Sequence, residues 1–128
     1  GCAQDLSVGV ANATHATDAD AITDSVFLHM NGNDLNIYVE CDDGANETGA
    51  TDTTIDAVAG TPFEVWIDMR DLTSIKFYVN GVRVNSATTF SIAAMTNTLF
   101  LLAHLEKTAA TDAFDVDINF LRARLAQN

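Results

Sequence analysis

Apolar residues recur at every second position along most of this chain. Leu6, Val8 and Val10 alternate with small or polar neighbours. Leu35, Ile37 and Val39 share one face of DLNIYVE (34–40), and Phe63, Val65, Ile67 and Met69 share one face of PFEVWIDM (62–69). A period of two marks half-buried strands and not amphipathic helices. SVFLHM (25–30) is a denser apolar run, and TLFLLAH (98–104) is nearly all apolar, which predicts a strand buried on both sides. AFDVDINFLRARL (113–125) places Phe114, Val116, Ile118 and Phe120 on one face and predicts the last strand. Helical propensity is confined to one turn at Ser91–Met95 and to the far C-terminal residues.

The connections carry turn chemistry. Asn31-Gly32-Asn33 separates two strands. Asp42-Asp43-Gly44 opens a polar segment that runs to Gly60 and reads as a surface loop, with a short strand near Thr54 to Val58. Pro62, the only proline, sits at a strand start, where a missing N–H costs little. Many short strands with frequent turns predict an all-β antiparallel sandwich. At 128 residues this is one domain, 1–128.

KFYVNGVRV (76–84) fixes a register. Asn-Gly favours a two-residue type I′ turn, because both central positions need positive φ. With Asn80 and Gly81 as the turn, Val79 faces Val82, Phe77 faces Val84 and Ile75 faces Ser86. The other face pairs Tyr78 with Arg83 and Lys76 with Asn85. Turn type and hydrophobic pattern choose the same register, with Phe77, Val79, Val82 and Val84 inside.

These residues carry a resemblance. Val65-Trp66-Ile67-Asp68, a polar turn and Ile-Lys-Phe-Tyr-Val-Asn-Gly-Val-Arg-Val resemble the core of concanavalin A-like and laminin-G-like jelly-roll domains. The closing DVDINFLRARLAQN resembles their last strand, so the likeness covers about residues 62–125. Those domains usually carry more strands before the Trp strand. The chain is therefore expected to be a compact version or the C-terminal part of a longer one. TDTTIDAVAGTPFEVWIDMRD and LFLLAHLEKT are similar to segments of tailed-bacteriophage proteins with this sandwich. The resemblance implies a non-enzymatic virion protein, made in the host cytoplasm, that decorates or cements the outer capsid surface. Its partners would be capsid subunits. It would be present in many copies and homo-oligomeric, with a trimer the expected form. The alternative is a lectin-like carbohydrate-binding module of a phage fibre or surface protein.

Charge narrows the partners. Eighteen acids against six Lys and Arg give a net charge of −12. Such a surface repels phosphates, so neither nucleic acid nor an anionic membrane is an expected partner, and the outside of a capsid suits it better than the DNA-filled inside. No apolar run reaches the roughly 18 residues of a membrane span, and no basic-then-apolar opening marks a secretion signal. Cys2 and Cys41 are the only cysteines. They read as two free thiols or as a single disulfide.

Candidate chemistry is sparse. Asp115-Val116-Asp117-Ile118-Asn119 has the alternating spacing of the Glu-x-Asp-x-Glu strand in jelly-roll glycosidases. It lacks both Glu residues, and Asn119 cannot act as acid or nucleophile. An acidic solvent face is expected there. His15, His29 and His104 are scattered, and the last two read as satisfied sandwich histidines. Asp42, Asp43, Glu47 and Asp52 are weak calcium candidates against the reading of a solvated acidic loop. No cofactor is expected. Trp66 is the sharpest feature. Alternation places Trp66, Tyr78 and Arg83 opposite the core, and Tyr38 likewise. If their strands are neighbours, Tyr38, Trp66, Tyr78 and Arg83 form one surface. That surface would stack sugars, dock a protein, or be buried as a second core under a covering loop.

Overall fold

The computed structural model describes residues 4–14, 19–32, 34–107 and 116–124. The protein is all-β, with a three-residue 3-10 turn at Ala19–Ala21 as its one helical element among the described residues. Four strands come first: β1 (Gln4–Ala11), β2 (Asp24–Met30), β3 (Asn36–Asp43) and β4 (Glu47–Asp56). Then follow β5 (Val65–Asp68), β6 (Lys76–Val79), β7 (Val82–Val84) and β8 (Phe100–Lys107). They form a five-stranded sheet in the order β4-β3-β2-β1-β8 and a three-stranded sheet β5-β6-β7. Every neighbouring pair is antiparallel. The two sheets make a β-sandwich. No helix among the described residues is long and apolar enough to cross a membrane.

The core lies between the sheets. Leu6, Val26, Leu28, Ile37, Val39 and Cys41 face it from the large sheet, and Ile75, Phe77, Val79 and Val84 from the other side. Phe90 and Ile92 complete it from the β7–β8 connection. The Phe77 and Phe90 rings meet edge to face, 5.0 Å apart at 76°, the arrangement favoured by ring quadrupoles. β2 is buried at every residue because both its faces are covered. Its inner face meets the core. On its outer face Phe27 packs with Ala11, Ala19, Ile22 and Leu102. Gly9 sits opposite Phe27, where a Cβ would lie 2.0 Å from the Val26 carbonyl oxygen.

Several polar ties join the large sheet to the rest of the molecule. The Asn85 amide donates to the Asp52 carbonyl at 2.8 Å. The Cys41 thiol donates to the Ser91 carbonyl at 3.5 Å. The Asp43 carboxylate accepts from the Ala94 N–H at 3.0 Å, and the Asp24 carboxylate accepts from the Asn97 amide.

The structure corrects parts of the sequence reading. The segment 42–60 is not a loop: β4 runs for ten residues through it. Its outward positions face solvent, so Thr, Asp and Glu fill them and blunt an edge strand. A bulge breaks its pattern as well. Tyr38 pairs with Asp52 while Asn36 pairs with Asp56. Thr54 takes a φ of 62° in the bulged stretch, held by its N–H donating to Asp52 Oδ1 at 2.7 Å. The Thr53 hydroxyl fills the broken ladder by donating to the Ile37 carbonyl at 2.7 Å.

β8 is not buried on both sides. Among the described residues it pairs only with β1, and Phe100, Leu101 and Leu105 are exposed. The expected last strand is absent from 116–124, which has no regular secondary structure. Residues 113–115 and 125 of that expectation lie outside the described residues. Val116 packs on the core, while Ile118 and Phe120 are exposed. Leu35 precedes β3 and is 56% exposed, not inside. Val82 occupies its expected register but is 63% exposed, because it follows directly on the tip of a short edge strand. Ile75 bridges Phe90 and not Ser86, since β7 ends at Val84. At 91–95 the chain makes a single turn, closed by Met95 N–H donating to the Ile92 carbonyl at 3.1 Å.

Candidate functional site: an exposed cross-strand row

The hairpin that organises the small sheet forms as its sequence dictates. Asn80 and Gly81 have φ of 50° and 79°, the double positive φ of a type I′ turn. Val79 pairs with Val82, Tyr78 with Arg83 and Phe77 with Val84. Asn80 also ties the hairpin tip to the approach of β5. Its N–H donates to the Glu64 carbonyl at 2.8 Å, and its side-chain oxygen accepts from the Glu64 N–H at 2.9 Å. With that end fixed, Trp66 pairs with Tyr78 and Asp68 with Lys76.

Trp66, Tyr78 and Arg83 therefore form one row across all three strands on the outward face. Side chains directly opposite on neighbouring strands have Cβ atoms roughly 4.5–5.5 Å apart, so the row is continuous. Trp66 is 53% exposed, and no loop among the described residues buries it as a second core. Tyr78 is half-buried and Arg83 exposed.

Beside the row lies a charged edge. Arg70 grips Asp68 with two bonds, Nε to Oδ1 at 2.9 Å and Nη2 to Oδ2 at 2.7 Å. That guanidinium holds the Asp68 carboxyl down at about 2, against a smaller upward push from burial. The same pairing raises the Arg70 pKa. The Asp71 carboxyl lies below its ordinary value because the Thr73 hydroxyl and N–H both donate to it. Asp68, Arg70, Asp71, Ser74 and Lys76 line a shallow, open depression of about 230 Å³.

Tyr38 does not join the row. It lies on β3, in the other sheet, between His29 and Asp52. Its hydroxyl donates to Asp34 Oδ2 at 3.2 Å and accepts from the Asn36 amide at 3.1 Å. Alternation named its face correctly but not its sheet.

The acidic candidates are occupied separately. Asp42 Oδ1 accepts from the Gly44 N–H at 2.7 Å. Asp43 Oδ1 accepts from the N–H groups of Ala45 and Asn46 at 3.1 and 2.7 Å. Burial pushes the Asp43 pKa up, but the N–H bonds of Asn46, Ala94 and Ala45 outweigh it and leave the value lowered. Glu47 sits across from Asp42, and Asp52 serves the bulge. Among the described residues no group of three His, Cys, Asp or Glu side chains is placed to hold a metal ion. Asp117 and Asn119 are exposed in the irregular C-terminal segment, and Asp115 lies outside the described residues.

One polar cluster escaped sequence reasoning. The Ser7 hydroxyl lies 3.0 Å from His29 Nδ1, and Glu40 Oε1 lies 3.6 Å from the same nitrogen. His29 Nε2 is 2.7 Å from Asn31 Oδ1. The residue types are those of a catalytic triad, but the geometry is not. A relay needs the nucleophile and the acid on opposite ring nitrogens. Here both meet Nδ1, and Ser7 is 1% exposed. The set is a buried polar tie across β1, β2 and β3. Only strand pairing brings it together, so no local signal announces it. His104 approaches Glu106 at 4.0 Å, and His15 lies outside the described residues. Cys41 is a free, buried thiol whose pKa is raised by burial. Cys2 lies outside the described residues.

Compared with known protein families, curated proteins and solved structures, the chain matches none.

Proposed function

We propose that this protein is a non-enzymatic docking module, a jelly-roll capsid decoration protein of a bacteriophage head that binds capsid subunits through its small sheet. One observation carries the reading. Trp66, the only tryptophan, is 53% exposed in a row with Tyr78 and Arg83. Trp, Tyr and Arg are the residues that dominate binding energy when a partner desolvates them. A sheet face offers them to an equally flat partner, whereas a small substrate needs a cavity of roughly 300 Å³ or more. The net charge of −12 supports an outer capsid surface over contact with packaged DNA. The phage assignment itself rests on the sequence resemblance.

The test is particle binding. Mass spectrometry of purified virions should find the chain in many copies per head. Its absence from particles overturns the reading. Trp66→Ala should weaken rebinding to stripped heads by roughly 30-fold or more, the effect of losing a hot spot. It should cost up to about 1 kcal/mol of stability, the scale of a cross-strand pair. Unchanged rebinding would move the docking face elsewhere.

The aromatic pair favours a second reading. Trp66 and Tyr78 lie beside the polar groups of Asp68, Arg70 and Lys76, the combination of ring faces and hydrogen-bonding groups that holds a sugar. Glycan-array binding that disappears in Trp66→Ala would select this lectin-like reading, and a blank array would remove it.

A further inference from the structure

We infer that two copies of this chain exchange their C-terminal segments, residues 118–124 of each adding as a strand along the outer β8 edge of the other. The acceptor is an edge strand of eight residues that pairs on one side only among the described residues. It leaves a row of backbone donors and acceptors open. It is also apolar: Phe100 is 63% exposed, and Leu101 and Leu105 are exposed as well. Leu101 pairs with Val10 and Leu105 with Leu6, so both continue the inner face of the large sheet past the cover of the three-stranded one. Monomeric proteins protect such edges with charge, bulges or a covering element. Among the described residues, Phe100–Leu105 has none of these.

The donor has the complementary chemistry. Val116, Ile118 and Phe120 alternate with Asp117 and Asn119, which is a strand pattern. Val116 is anchored on the core of its own molecule, but Ile118, Phe120 and Leu121 are exposed, Phe120 at 70%. Arg122 and Arg124 make the segment net positive on a chain of charge −12. On the acceptor, Asp5 and Glu106 face each other beside the edge, with Lys107 the one basic residue at the strand's end. An apolar, basic segment thus meets an apolar edge on an acidic body. In a pair related by a two-fold axis, both segments and both edges are satisfied at once, by the main-chain pairing of β-strand addition. This exchange does not depend on any contact with a capsid.

Light scattering after size exclusion, over about 1–200 µM protein, tests it. The expected result is a dimer that dissociates more readily at high salt. Ile118→Asp/Phe120→Asp and Leu101→Lys/Leu105→Lys should each be monomeric, with far-UV spectra unchanged. Mixing the two variants should restore a heterodimer, since one intact segment still meets one intact edge. Hydrogen exchange should show the amides of 118–124 protected in the dimer only. A wild-type chain that stays monomeric throughout overturns the inference. So does protection of 118–124 within a monomer, which would mean that the segment folds back on its own sheet.

Discussion

Gly9 and Asp68 show how differently single residues weigh in this molecule. At Gly9 the constraint is space. A methyl group there would meet a backbone oxygen, which cannot swing away as a side chain would. Gly9→Ala should therefore lower stability by about 1–3 kcal/mol, the usual cost of overpacking, measured as a drop in the urea midpoint. At Asp68 the constraint is charge. Its carboxyl is held at about 2 in the folded protein and returns to about 3.9 when unfolded. A depressed carboxylate contributes stability that is complete above the unfolded value. That stability is lost as pH falls from about 4 through about 2. The pair faces solvent, so Asp68→Asn should cost under about 1 kcal/mol at pH 7. The gap between wild type and variant should shrink steadily from about pH 4 to about pH 2, and a gap that stays at its pH 7 size there would sink the assignment to ionisation.

Among the elements, the β6–β7 hairpin was legible in advance, whereas most of β4 and the exposure of β8 were not. The hairpin declares itself because turn and alternation are local and agree. Its turn rests on the positive φ of Gly81, and nothing lies within 4 Å of where a Cβ would stand. Gly81→Ala should thus cost about 1 kcal/mol through backbone strain alone, read from the thermal midpoint with the core intact. β4 hid because an edge strand facing solvent has only half a pattern, and the bulge at Thr53–Thr54 shifts even that half. β8 misled in the opposite sense. An apolar run reports that both faces resist water, not that the folded chain covers both. The segment 116–124 has a strand's alternation without a strand's neighbour, and alternation does not supply one.

On the scale of the whole molecule, the sequence predicted an all-β sandwich, and two antiparallel sheets of five and three strands form. The candidate row was legible as far as the hairpin reached. Trp66, Tyr78 and Arg83 meet because short connections hold β5, β6 and β7 in one sheet. Tyr38 was misplaced because a period of two assigns a face within a sheet and says nothing of which sheet. The Ser7–His29–Glu40 set was invisible for the same reason in reverse, since long-range pairing alone assembles it.

The ties made by Asn85, Ser91, Ala94 and Asn97 end on Asp52, Cys41, Asp43 and Asp24. Those four positions lie on β4, β3 and β2. Among the described residues the sandwich is thus bound like a book, stitched along the β2–β4 side, with the β1–β8 pair away from the stitching. Native-state hydrogen exchange should therefore find the amides of Val8 and Val10, on the unstitched side, opening more readily than that of Val39, which is fully buried.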